Sequence, residues 1–171
     1  MKQLGRFPGI AILVLVLMSC ETQDPWHNSD EWNPEETARH LAVLLKAQVD
    51  VLEQAVDLDE LPETLRQELW ALLIDECDTG YEVFVRVNRN RQLKQKVCDA
   101  LSSIVDGVQT RKEVLLQQLQ SRNQSSILES TAPSEEAWEV LNPRINGYSV
   151  QALQVRCRHP EGYWDWPIPS N

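Results

Sequence analysis

The feature that most narrows the fold is the proline-free stretch 63–132, laid out with apolar residues at three- and four-residue spacing. Proline inside a helix removes a hydrogen bond and clashes with the preceding turn, so its absence over this length permits long helices. Just upstream, Asn33-Pro34-Glu35-Glu36 supplies a helix start: a capping side chain, proline at the first helical position and acids in the first turn. Leu41, Leu44, Leu45, Val49, Leu52 and Val56 then mark one face and predict a helix over about 34–57. Asp59-Glu60-Leu61-Pro62-Glu63 is a second start, followed by Leu65, Leu69, Leu72, Leu73 and Cys77 on one face. Leu93, Val97, Leu101, Ile104, Val108, Leu115 and Leu119 predict a third helix over about 90–121, weakest at Asp106-Gly107.

The end of the second helix has two readings. Asp78-Thr79-Gly80 stops it, or it runs on through Val83 and Val87 to a turn at Asn88-Arg89-Asn90. The β-branched run around Val83, Val85 and Val87 also suits a short strand, and the helical continuation is favoured. Residues 121–134 read as a polar linker, and Ser134 to Leu141 as a short capped helix stopped by Asn142-Pro143. Beyond it, Leu153, Val155 and Cys157 alternate with Gln154, Arg156 and Arg158, the pattern of an extended arm or short strand. The expected fold is all-α: an antiparallel three- to four-helix bundle over 34–121, with 122–171 as linker, short helix and extended C-terminal arm.

A length of 171 residues suits one domain with tails. The formal net charge of −10 argues against a nucleic-acid binder, whose footprint is basic. The charge is unevenly spread. Residues 20–60 hold eleven acids against Arg39 and Lys46, whereas 83–98 hold Arg86, Arg89, Arg91, Lys94 and Lys96 and no acid. Such regions solvate the surface or face one another, or one of them docks a charged partner. Five of the six tryptophans, Trp26, Trp32, Trp138, Trp164 and Trp166, lie outside the three main helices. These rings pin the arms to the bundle, or Trp164 and Trp166 present a binding face.

The N-terminal segment carries its own signal. Lys2 and Arg6 precede an unbroken apolar run, Ile10 to Met18, too short to span a bilayer and of the length of a secretory h-region. Leu17-Met18-Ser19-Cys20 follows, then the acidic Glu21-Thr22-Gln23-Asp24. These residues resemble the lipobox of bacterial lipoproteins: an aliphatic residue, a tolerant position, a small residue, then cysteine. The resemblance covers residues 1–20 only. It implies a signal peptide over 1–19, a lipid on the Cys20 thiol and an acylated new N-terminus, with 20–33 as an acidic tether. Several acyl chains anchor stably where one is marginal. Glu21, rather than aspartate, after the lipidated cysteine favours the periplasmic face of the outer membrane in that family.

Export implies an oxidising compartment in which disulfides persist. Besides Cys20 the chain has Cys77, Cys98 and Cys157. The midpoint of Cys77 and Cys98 lies between residues 87 and 88, so a hairpin turning at 88–90 would set them at one height and favour their pairing. If the second helix stops at Gly80 instead, Cys157 becomes a partner for either. A zinc site from these cysteines and His159 is the weak alternative, lacking any local CxxC pair.

No GxSxG, HExxH, phosphate-binding loop, dinucleotide glycine pattern or CxxCH occurs, so no catalytic residue, metal or cofactor is assigned. His40, four residues after Glu36, reads as a surface pair, and His27 as part of the solvated tether. The function expected from these signals is non-catalytic: a periplasm-facing lipoprotein that binds an envelope or secreted protein as an assembly or trafficking adaptor, in the general manner of small helical pilotin lipoproteins. Two alternatives stand beside it. One is an inhibitor or immunity lipoprotein whose acidic surface meets a basic toxin or hydrolase; the other holds cell-wall glycan on Trp164 and Trp166.

Overall fold

A computed structural model describes residues 32–58, 60–123, 127–159 and 164. All of these but Trp32 belong to one compact unit, Asn33–Asn171. The segment expected to be a signal peptide (1–19), Cys20, nearly all of the segment expected to be an acidic tether (20–33) and Trp166 lie outside the described residues. The elements are α1 (Pro34–Leu58), α2 (Glu63–Arg89), α3 (Leu93–Ile104), α4 (Asp106–Asn123), α5 (Ile127–Ser130), α6 (Glu135–Tyr148) and α7 (Val150–Arg158). The fold is an all-α bundle, with no strand among the described residues.

α1 begins as its sequence predicts. The Asn33 side-chain oxygen accepts a hydrogen bond from the Glu35 N–H at 2.9 Å, filling one of the unpaired donors of the first turn. Its apolar stripe is buried from Ala38 to Ala55, and α1 packs against α2, α3 and α4. α2 does not stop at Gly80. It continues to Arg89, with Val83 and Val87 buried on the same face as Leu73 and Cys77. Gly80 serves a close crossing: a Cβ there would meet the Tyr148 carbonyl oxygen at 1.7 Å. The glycine is where the end of α6 lies against α2, which offsets its cost of about 1 kcal/mol in a helix interior.

The turn after α2 falls at 90–92, two residues later than expected. The Asn90 side chain accepts from the Gln92 N–H at 3.1 Å, and the Asn90 carbonyl from the Leu93 N–H at 3.0 Å. The third stripe divides at Val105 into α3 and α4, beside the Asp106-Gly107 weak point.

The C-terminal third departs furthest from expectation. Pro143 does not stop α6, which runs on to Tyr148. Pro143 and Glu139, four residues before it, are both exposed, so the carbonyl that loses its partner faces water. The expected extended arm is the helix α7. Ser149 caps it through its hydroxyl, which accepts from the Ala152 N–H at 3.2 Å. Val150, Ala152, Leu153 and Arg156 are the buried positions, a helical spacing that the alternation at 153–158 concealed. α6 packs against α2, and α7 against α2 and α3, so residues 135–158 complete the bundle as its fourth leg. α7 runs antiparallel to α3: along α3 and into α4, Lys94, Cys98 and Asp106 meet His159, Cys157 and Gln154 in turn.

Candidate functional site

A charged centre lies inside the bundle. Glu76 of α2 has no exposed surface, and Lys112 of α4 has almost none. The Lys112 ammonium donates to Glu76 Oε2 at 2.7 Å, and the Gln48 amide of α1 donates to the same oxygen at 2.8 Å. Glu76 Oε1 accepts from the Val150 N–H at 2.9 Å. That N–H is at the first position of α7, where the helix supplies no acceptor and its dipole is positive. One carboxylate therefore joins all four legs. Burial pushes its carboxyl up, but the Lys112 charge and the hydrogen bonds from Lys112, Gln48 and Val150 outweigh it and hold the group below its ordinary range.

The sequence contained the signal for this centre. Glu76 falls at helical spacing after Leu69 and Leu73, beside Cys77, and Lys112 falls between Val108 and Leu115. Two apolar stripes thus each carry one charge, of opposite sign. Neither residue entered the expected site set.

A second cluster closes the neighbouring layer. The Arg156 guanidinium is fully buried, lies 4.5 Å from the Phe84 ring centre and donates to the Gly147 carbonyl at 3.1 Å. Phe84 stacks with Trp164 at 6.5 Å and contacts Tyr148 at 5.3 Å, and Tyr148 meets Tyr81 edge-on at 5.0 Å. Trp164 has no exposed surface. It pins the chain to α2 and offers no face to a glycan, which corrects its assignment as a binding ring.

The disulfide joins Cys98 and Cys157, with Cα atoms 5.5 Å apart, and not Cys77 and Cys98. Helical rise explains the difference. Cys77 stands 13 residues before Asn90 and Cys98 six after Gln92, about 20 and 9 Å from the turn at 1.5 Å per residue. Cys77 also faces the core, where burial first and the Glu76 charge second push its thiol up to about 12, against partial relief from Lys112 and Arg144. An open cleft of about 220 Å³ beside the disulfide is lined by Asp99, Ser102, Asp106, Gln154 and Arg158. Its polar groups are engaged locally: Asp106 accepts from Ser102 and Gln154, and Asp99 accepts from Gln95.

The basic run is partly spent. Arg86 pairs with Glu82 at 3.0 Å and is largely buried; the acid lies just outside the window that held none. Arg89 is exposed and Arg91 half-buried. α7 adds Arg158 to this end, because Lys94 donates to the His159 carbonyl at 3.1 Å next to the disulfide. At the opposite end, Asp57, Glu60, Glu63, Glu68, Glu135 and Glu136 are exposed around the start of α2 and α6. Arg66 lies among them, its guanidinium donating to the Leu61 carbonyl and lying 3.9 Å from Glu63. His40 and Glu36 are both exposed. No group of three or more histidines, cysteines and acids suited to a metal occurs among the described residues.

Compared with protein-family models, curated proteins and solved structures, the chain matches none.

Proposed function

We propose that this chain is a non-catalytic lipoprotein of the bacterial envelope, anchored through Cys20, that binds a protein partner as an assembly or trafficking adaptor. The observation that carries the reading is the joining of a lipobox-like end, Leu17-Met18-Ser19-Cys20, to a bundle clamped by a disulfide. The first suits an anchor outside the cytosol, and the second suits an oxidising compartment. The internal charges hold the legs together, which leaves the segregated surface charge as the means of recognition.

The exposed acids at the start of α2 and α6 favour one second reading, an inhibitor or immunity lipoprotein for a basic toxin or hydrolase. Both readings are tested by placing a photo-crosslinking residue at Glu60, Glu136 or Val43 in cells. A discrete adduct with an envelope protein supports an adaptor. An adduct with a basic protein, formed at the acidic end and lost in Glu60→Lys/Glu136→Lys, supports the inhibitor. A membrane-located chain that forms no adduct from any of the three positions contradicts both.

A further inference from the structure

We propose that Cys98–Cys157 is a redox latch: an external dithiol that reduces it releases the fourth leg, α6 and α7, while α1 to α4 stay folded. Every residue involved lies in the bundle, so the latch does not depend on an anchor at Cys20.

The fourth leg is lightly packed. Over the 14 residues of α6 and the nine of α7, the buried apolar side chains are Leu141, Val150, Ala152 and Leu153. The 25 residues of α1 bury eight, from Ala38 to Ala55. A segment with few buried apolar groups opens locally at lower cost than the body it covers. Three of its polar ties reach water: Arg144 to Asp78, Gln154 to Asp106, and Lys94 to the His159 carbonyl. Exposed ties of this kind resist opening weakly. The inner ties are the Val150 N–H on Glu76 and the layer of Arg156 and Trp164 over Phe84. The bridge is the covalent tie. It spans a sequence separation of 59, and while it is intact the end of α7 cannot leave α3. The open state is thereby denied the chain freedom that would favour it, and reduction restores that freedom.

A reductant can reach the bond. Both cysteines are half-buried and line the open cleft of about 220 Å³, together with Asp99, Asp106 and Arg158. A thiolate of the dithiol attacks Cys98 Sγ. The S–S bond breaks, and Cys157 departs as a thiolate beside Arg158, whose charge favours it. The second thiolate of the reagent then displaces Cys98 Sγ. The dithiol ends as a disulfide, having given up two electrons and two protons, and Cys98 and Cys157 end as thiols.

Cys77 reports the opening. It has no exposed surface, and its neighbours on α2 carry the leg: Glu76 holds the Val150 N–H, Asp78 pairs with Arg144, and Gly80 lies against Tyr148. Departure of α6 and α7 uncovers that face.

The test is hydrogen exchange read by mass spectrometry on the full chain at neutral pH, oxidised and after dithiothreitol without denaturant. The latch predicts that the bridge is cut under these conditions. It also predicts that α6 and α7 amides exchange at least about tenfold faster once reduced, with α1 and α4 changing less than about twofold. Maleimide labelling of Cys77, located by peptide mass, should accelerate in step, both in the reduced chain and in Cys98→Ser/Cys157→Ser. If the double variant fails to fold, the reduced native chain carries the test. Equal acceleration in every helix shows a bridge that only adds global stability and overturns the latch. So does unchanged exchange in α6 and α7, or a bridge that dithiothreitol cuts only in denaturant.

Discussion

Replacing Lys112 by methionine isolates what the buried charge centre contributes. The substitution keeps an unbranched apolar stem and removes the ammonium that lies 2.7 Å from Glu76 Oε2. At that distance and an effective dielectric near 20, the attraction is about 6 kcal/mol. Burying both charges offsets part of it, and removing one partner of such a pair costs about 3–5 kcal/mol. The sign of the pH dependence also reverses. In the native chain the Glu76 carboxyl is held below its unfolded value, so its stabilisation is present at neutral pH and lost as pH falls through the folded value. Without Lys112, burial dominates and raises the folded value above the unfolded one. The variant's carboxyl is then protonated on folding, and its penalty shrinks as pH falls toward about 4. Urea unfolding of the oxidised protein followed by circular dichroism, at pH near 7 and near 4, measures both effects. A loss below about 1 kcal/mol at neutral pH, or a loss that does not shrink in acid, would refute the reasoning.

Other outcomes follow from single contacts. Gly80→Ala should lower the urea midpoint although alanine is the better helix former, because its Cβ has no room beside the Tyr148 carbonyl. Gly107→Ala, with nothing within 4 Å, should raise the unfolding free energy by up to about 1 kcal/mol, measured in the same titration. Cys157→Ser opens a bridge of sequence separation 59 and should cost about 4 kcal/mol on chain-entropy grounds, read by unfolding with and without reductant. The Cys77 thiol, buried and pushed up to about 12, should stay unreactive to Ellman's reagent until the protein is unfolded. Reaction in the native state would contradict its placement.

The helices were legible where one residue type dominated the local energetics. Asn33-Pro34 and the leucine stripe of α1 are such cases, since capping and burial agree there with helix propensity. Gly80 and Pro143 misled because both read as breakers, and tertiary contact or solvent exposure overrode them. The α7 segment misled through chance alternation, while its capping residue Ser149 was passed over. The disulfide depended on turn position, and two residues of error were enough to favour the wrong partner for Cys98. The charged centre was legible as Glu76 and Lys112 on apolar stripes. Its geometry was not, because three of its partners come from segments far apart in sequence. Lysine placement at the start of α3 was visible only as a basic run; its conflict with the helix dipole appeared once the helix start was fixed at Leu93.

The central claim is anchoring through Cys20, and intact mass of the protein extracted from membranes tests it most directly. The account predicts a chain that begins at Cys20 and carries added acyl mass, absent from a Cys20→Ala variant, together with a two-hydrogen shift on reduction from the Cys98–Cys157 bridge. An unacylated chain retaining Met1, with no mass change on reduction, would contradict it.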